Sequence, residues 1–422
     1  MSDTKSKLIL LLPFFAGLNG VNLVIFRLNV RADQVAAVIL LFVLLAKVLL
    51  GIRRLYIDFP AKMLLLFLAI SLVSSIFNAP DPRYSILQTI NIASVSSIYV
   101  VLTNFLDSEG KIKQFLRYYL RAGFFFMLVG VSLFVLSLAL RTRLYGVNLD
   151  GDNPYLAYGV YATMREPNIF GSYCLIYFVV SLGLLVVGKR CEIGTRRFLK
   201  LLFFISSLGL ILSFTRGAWL GGVLGAALLI HFVFEYFRGA TRKRRTIAIL
   251  LSVMVIVLIV SSVASDFFLS YKIRNLLQYK SGTGLGRLIV WGEALRGTEH
   301  HILLGNGTYS FASLFNLNGS YNDLQNAWIG NVFITALHDA GVLGFIAFMA
   351  MLIGLIIMGT RKFKKSKEQI GSIPVLSLIF VMAMVGMLLA FFFTTGFSYG
   401  YAWIPLGVLG ALGNPGVAKY SI

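Results

Sequence analysis

Long apolar runs separated by short polar segments are the main pattern of this 422-residue sequence. Each run is continuously apolar over about 20 residues, the length of a helix that crosses a bilayer core, whereas membrane β-strands alternate in polarity. The pattern predicts an all-α polytopic membrane protein with about twelve transmembrane helices. The predicted spans are 8–26, 34–50, 61–77, 86–106, 122–140, 169–188, 199–214, 217–234, 247–264, 329–358, 373–393 and 398–413.

Composition supports this fold class. The chain is 58% hydrophobic and 13% charged, whereas soluble domains carry about 25% charged residues, so an ordinary soluble enzyme is excluded. The net charge of +21 does not predict a nucleic-acid partner, because the basic residues lie in short runs between apolar stretches rather than on one patch. Cys174 and Cys191 are expected on opposite sides of the membrane and therefore unpaired.

The basic residues also predict the orientation. If the N-terminus is cytoplasmic, 26 of the 38 Lys and Arg residues lie on the cytoplasmic side, as the positive-inside rule requires. Both termini are then cytoplasmic. The chain divides into spans one to nine (1–264), a large outer loop (265–328) and spans ten to twelve (329–422).

The large outer loop has a helical pattern of its own. The apolar run Leu288–Trp291 is followed by a segment that begins with Glu293 and ends with Arg296, which predicts a short amphipathic helix starting near Gly286. The glycines within Leu303–Gly307 then signal a turn. We expect an ordered helical loop domain between spans nine and ten.

The predicted outer cations are nearly all arginine, whose rigid fork suits phosphate and carboxylate groups. Arg216 lies between two spans with no loop, where a charge is costly without a partner or an aqueous cavity. Arg287 opens the loop helix, whose free N–H groups favour anions. Arg165 stands at the mouth of span six. Ion pairing with outer acids such as Glu166 is the alternative for each of these arginines.

His338 is the candidate general base. It is predicted near the outer end of span ten, where an imidazole can exchange protons near neutral pH; a histidine bonded to backbone is the alternative. Its neighbour Asp339 is a candidate to orient or tune the imidazole, although adjacent residues of a helix do not usually face each other. His300 and His301 precede a turn expected to be flexible and are weaker candidates, and His231 is interpreted as a packing residue.

Common metal and nucleotide motifs are missing from the sequence. It has no Asp-x-Asp, His-Glu-x-x-His or paired-cysteine spacing, and no P-loop or dinucleotide fingerprint. We therefore predict neither a metal nor a cofactor.

Three segments resemble motifs of the O-antigen ligase and O-antigen polymerase superfamily of bacterial envelope glycosyltransferases. They are SFTRGAWLGG, GRLIVWGEALRGTEHHILLGNGTYSF and NVFITALHDAGVLGF, with a weaker match in REPNIFGSYC. Together they cover most of residues 160–345. The match rests on the order of these motifs together with the twelve predicted spans and the single large outer loop.

The resemblance implies a GT-C-like enzyme in the bacterial inner membrane with its active site facing the periplasm. It implies inverting, metal-independent transfer of a glycan from undecaprenyl diphosphate to a hydroxyl of lipid A–core, in lipopolysaccharide biosynthesis. Arg216 and Arg287 match the motif arginines and take their diphosphate-binding role. Arg165 is a possible third diphosphate ligand, and His338 is the base. The late position of this histidine resembles ligase-type members and favours a ligase.

Other functions stay open on the sequence alone. An O-antigen polymerase uses the same donor with a lipid-linked glycan as acceptor, and a third type of member transfers to protein. A glycan or lipid transporter or flippase also fits twelve spans, but such carriers usually place ionisable groups at the bilayer midplane. No acidic residue falls in the middle of a predicted span. A structural membrane protein is the last alternative.

Overall fold

The computed structural model describes residues 4–25, 28–142, 144–149, 157–236, 284–317, 328–365 and 371–419. Within these ranges the chain is mostly helical, with two short antiparallel hairpins. The helices are α1 (Thr4–Gly17), α2 (Ala32–Leu49), α3 (Phe59–Phe77), α4 (Pro82–Phe105), α5 (Glu109–Leu140), α6 (Pro167–Val187), α7 (Arg196–Leu212), α8 (Arg216–Tyr236), α9 (Gly284–Thr298), α10 (Phe311–Leu317), α11 (Val332–Lys365), α12 (Ser372–Ala390), α13 (Gly400–Gly413) and α14 (Pro415–Lys419). The strands are β1 (Asn22–Ile25), β2 (Leu28–Arg31), β3 (Val147–Leu149) and β4 (Ala157–Val160).

Eight stretches of the described helices are long and apolar enough to cross a membrane. They lie in α2, α3, α4, α5, α6, α8, α11 and α12, in agreement with the predicted all-α polytopic membrane fold. The predicted spans at 199–214 and 398–413 correspond to the shorter helices α7 and α13, of 17 and 14 residues. The span predicted at 247–264 lies outside the described residues, so the number twelve stays a prediction.

The first predicted span, 8–26, is wrong in its second half. Helix α1 ends at Gly17, and β1 pairs with β2 from Asn22 opposite Arg31 to Ile25 opposite Leu28. The run from Val21 to Ile25 is rich in β-branched residues, which favour a strand once a turn has interrupted the helix. An apolar run alone does not distinguish these two outcomes.

The tenth predicted span, 329–358, is not one continuous helix. Helix α11 is broken at Gly341, which has φ 63° and ψ −169°. This backbone conformation is essentially restricted to glycine. The break separates a short N-terminal piece that carries His338 from the long apolar piece that follows.

The described chain forms two compact units. The first comprises residues 1–66, 90–229 and 347–422. At its centre lies α6, which is apolar on all sides and almost wholly buried, mainly by α7 and α12. A helix that is apolar on all sides has no polar face for solvent and is therefore buried in the core.

Glycines bring α8 and α12 into close contact in this first unit. A Cβ atom built on Gly221 would overlap the carbonyl oxygen of Gly386, and one on Gly225 would lie 2.9 Å from the carbonyl oxygen of Met382. Small residues let two apolar helices approach backbone to backbone, where van der Waals contact holds them together.

The second unit comprises residues 67–89 and 230–346. It contains the adjoining ends of α3 and α4, the helices α9 and α10, and the N-terminal piece of α11. Helix α9 confirms the helix predicted near Gly286. It packs through a small apolar cluster of Val290, Ala294, Phe311 and Ile329.

The glycine contact between α8 and α12 gives a first prediction. Gly221→Ala should lower the thermal unfolding temperature of the detergent-solubilised protein, because the added methyl forces the two helices apart at a cost of about 1–3 kcal/mol. Gly110→Ala on α5 is the matched control, since a Cβ there meets no atom within 4 Å. An unfolding temperature for Gly221→Ala equal to that of Gly110→Ala would contradict the packing argument.

Candidate functional site

The second unit is organised around a turn that docks into the break of α11. The amide nitrogens of Asn306 and Gly307 donate to the carbonyl oxygens of His338 and Asp339 at 2.9 and 3.0 Å. Beyond the break, the amides of Val342 and Leu343 donate to the carbonyls of Ile302 and Leu303 at 2.9 and 3.2 Å. The turn thus replaces the hydrogen bonds that an interrupted helix loses at both of its new ends.

Two glycines make this docking possible. A Cβ on Gly305 would overlap the backbone around Gly341, and a Cβ on Gly341 would overlap the carbonyl group of Leu303. Both residues have positive φ, which glycine adopts without steric cost. The segment before Leu303, where a flexible turn was expected, forms a short 3-10 helix, Glu299–His301, and the carbonyl of His301 accepts from the amide of Gly305 at 2.6 Å.

A cluster of buried hydroxyl groups attaches the same turn to α3 and α4. The hydroxyl of Thr308 lies 2.7 Å from that of Thr89 and 3.2 Å from that of Ser75, and Ser85 donates to the carbonyl of Thr308 at 2.9 Å. The Asn78 amide donates to the carbonyl of Gly305 at 2.8 Å. These polar partners satisfy loop groups that would otherwise be buried without hydrogen bonds.

His338 and Asp339 form a buried pair beside this turn. Nδ1 of His338 lies 2.9 Å from Oδ1 of Asp339, and the two side chains are 1% and 6% exposed. The structure thus brings into contact two adjacent helix residues, which do not usually face each other. The second carboxylate oxygen accepts from the amide of Tyr309 at 2.9 Å, a contact outside the helix that turns the carboxylate toward the imidazole.

The far side of the His338 ring faces α9 and α10. The ring of Phe311 packs edge-on against it with centroids 5.5 Å apart, and a Cβ on Gly297 would lie 3.6 Å from Nε2. Nε2 is buried and has no hydrogen-bond partner among the described residues. Any ligand that hydrogen-bonds Nε2 therefore has to displace part of this cover.

Arg287 lies in the first turn of α9, as predicted, and its side chain is half-buried. The indole of Trp291 holds this helix by donating to the carbonyl of Ile329 at 2.8 Å. Arg287 precedes Gly297 by ten residues, a rise of roughly 15 Å along the helix. One helix thus carries the predicted cation at its start and a residue that faces the predicted base near its end.

In the first unit, Arg165 and Arg216 lie close in sequence to the two residues of one hydrogen bond, Pro167 and Thr215. The hydroxyl of Thr215 donates to the carbonyl of Pro167 at 3.1 Å, which joins the residue before α8 to the first residue of α6. Arg216 is the first residue of α8, and both arginine side chains are exposed. The structure therefore brings these two predicted residues into one local region of the first unit.

Arg31 and Tyr399 belong to the surroundings of Arg165 and were missed as site candidates by the sequence argument. The guanidinium of Arg31 lies 3.2 Å from Asp33 and 4.9 Å from the ring centre of Tyr399, and Arg165 hydrogen-bonds the Tyr399 hydroxyl. No local motif links positions 31, 165 and 399 in the sequence.

Potential metal ligands do not cluster in the part of the chain that the structure describes. Groups of three or more His, Cys, Asp or Glu side chains close enough to hold an ion are not found there. Cys174 and Cys191 are both buried free cysteines.

Comparison with known proteins gives one informative result. None of the curated proteins matches this chain. A family model described as O-antigen ligase matches residues 201–349, about a third of the chain, a range that includes Arg216, Arg287 and His338. This match confirms the resemblance drawn from the motifs: residues 201–349 are similar to the O-antigen ligase family.

Proposed function

We propose that the protein is an O-antigen ligase of the bacterial inner membrane, with its active site on the periplasmic face. It transfers a glycan from undecaprenyl diphosphate to a hydroxyl of lipid A–core without a metal ion or a cofactor. The family match supports glycan transfer. The single structural observation that carries the proposal is the His338–Asp339 pair, whose free Nε2 faces the helix that bears Arg287.

In this mechanism His338 is the general base. Nε2 takes the proton of the acceptor hydroxyl as its oxygen attacks the anomeric carbon of the donor sugar. A new carbon–oxygen bond forms on the face opposite the diphosphate, which inverts the anomeric centre. The bond between the anomeric carbon and the phosphate oxygen breaks, and its electron pair leaves with the diphosphate.

The arginines stabilise the charge that develops on this leaving group. Preorganised cations in a partly dry site lower the barrier most when they act where charge appears in the transition state. We assign this role to Arg216 and Arg287, with Arg165 as a third ligand beside Arg216. Among the described residues, Arg216 forms no ion pair with an acidic side chain, so its charge is available to an anionic ligand.

The acceptor decides between a ligase and a polymerase. Purified protein in lipid is given the undecaprenyl-diphosphate glycan with lipid A–core, or with a second lipid-linked glycan. We expect extension of lipid A–core. Extension of the lipid-linked glycan alone would identify a polymerase, and glycan movement into proteoliposomes without bond formation would identify a carrier.

The assignment of the base predicts the effect of removing the imidazole. His338→Ala should lower the rate of glycan transfer by about 10²–10⁴-fold, the usual contribution of a general base. His300→Ala is the matched control, since His300 is exposed, and it should keep full activity. A folded His338→Ala protein with the wild-type rate would remove the assignment.

The assignment of the diphosphate ligands predicts losses for Arg216→Ala and Arg287→Ala. Each should lower kcat by about 10²–10³-fold, as for other groups that stabilise transition-state charge. Arg296→Ala serves as control on α9, because Arg296 is exposed and pairs with Glu293 on the same helix. Losses as small as that of Arg296→Ala would place the diphosphate elsewhere.

The same assignment predicts that transfer does not depend on a divalent ion. Because the arginines supply the positive charge, the rate should be unchanged after exhaustive treatment with EDTA. A loss of activity that Mg²⁺ or Mn²⁺ restores would assign this charge stabilisation to a metal ion.

A further inference from the structure

The carboxylate of Asp339 connects the predicted base to the docked turn. One oxygen lies 2.9 Å from Nδ1 of His338, and the other accepts from the backbone amide of Tyr309 at 2.9 Å. The residue is 4% exposed. Both oxygens therefore have a defined partner in a site with almost no access to water.

The partners of this carboxylate determine which ring nitrogen carries the proton. A carboxylate only accepts hydrogen bonds, so the neutral imidazole must hold its proton on Nδ1 to bond it. Nε2 then presents a bare lone pair, and it has no partner among the described residues. In this tautomer Nε2 can accept the proton of a hydroxyl group. In the opposite tautomer Nε2 already carries a hydrogen and cannot accept one.

The backbone around the pair is held independently of the Asp339 side chain. The carbonyl of Asp339 accepts from the amide of Gly307 at 3.0 Å and from the hydroxyl of Ser74 at 2.9 Å, and the carbonyl of His338 accepts from Asn306. These contacts place the two residues even if the chemistry of the carboxylate changes. The carboxylate has no ion pair with Lys or Arg in the described ranges, so its charge faces the imidazole.

We propose that Asp339 is a positioning residue that fixes the tautomer of His338 and stabilises the imidazolium formed when Nε2 takes the acceptor proton. The proposal rests on the proposed role of His338 as base. During the reaction the proton on Nδ1 stays between the imidazole and the carboxylate, and only Nε2 gains a proton.

Asp339→Asn tests this role because its amide can fit in only one favourable orientation. The Tyr309 amide can only donate, so the asparagine oxygen must face it and the NH₂ group must face Nδ1 of His338. The imidazole then carries its proton on Nε2, so Nε2 has no lone pair to accept the proton of a hydroxyl group, and the remaining lone pair on Nδ1 is bonded to the asparagine. We expect kcat to fall by about 10³–10⁴-fold with KM little changed, as for the orienting aspartate of serine protease triads.

The tautomer is measured directly by ¹⁵N NMR on histidine-labelled protein at mildly alkaline pH. The chain has four histidines, so His338→Ala identifies the signals of His338 by difference. We expect the proton on Nδ1 in the wild-type protein and on Nε2 in Asp339→Asn. Ser74→Ala is the matched control, because it removes a hydrogen bond to Asp339 but keeps the carboxylate; it should retain the wild-type tautomer.

The outcomes separate this proposal from the proposed function. A wild-type ring protonated on Nε2 overturns it even if Asp339→Asn does not fold. So does an Asp339→Asn protein whose tautomer and kcat match the wild type. Full activity in His338→Ala would instead overturn the base assignment, whatever the tautomer measurement gives.

Discussion

The exchange of backbone hydrogen bonds between the docked turn and the break in α11 is the constraint on which the second unit depends. A helix interrupted inside a protein exposes unpaired amide and carbonyl groups at both new ends. Here the turn from Ile302 to Gly307 supplies partners for both ends. Without the turn, the broken helix would have unpaired backbone groups; without the break, the turn would lose the partners of its own backbone groups. These hydrogen bonds also fix the backbone of the candidate site, because the turn bonds the carbonyl groups of His338 and Asp339.

The polar interior of this unit follows from the same constraint. A loop that enters an apolar protein brings polar backbone groups with it, and each must find a partner. Serine and threonine side chains on α3 and α4 supply them around Thr308. Their short side chains also allow close approach. The result is a hydroxyl-rich contact between the loop and helices that are otherwise apolar enough to cross a membrane.

Two arginines of the first unit, Arg31 and Arg216, lie in opposite environments. Arg31 is buried and neutralised by Asp33, with its guanidinium against the Tyr399 ring. Arg216 is exposed at the start of α8. A buried guanidinium paired with a carboxylate mainly positions its neighbours, whereas an exposed one keeps its charge for an anionic ligand. This contrast is why the proposed diphosphate ligands include Arg216 and not Arg31.

The sequence by itself determined the helical membrane class, the helix near Gly286 and the resemblance to O-antigen ligases, because apolar runs and local motifs are properties of neighbouring residues. It also selected His338 as the candidate base. Only the tertiary structure decided the break at Gly341, the early end of α1 and the contact between His338 and Asp339. Each of these depends on groups distant in the chain or on competition between local conformations. Apolar periodicity records neither, since it measures where the chain avoids water and not which backbone groups find partners.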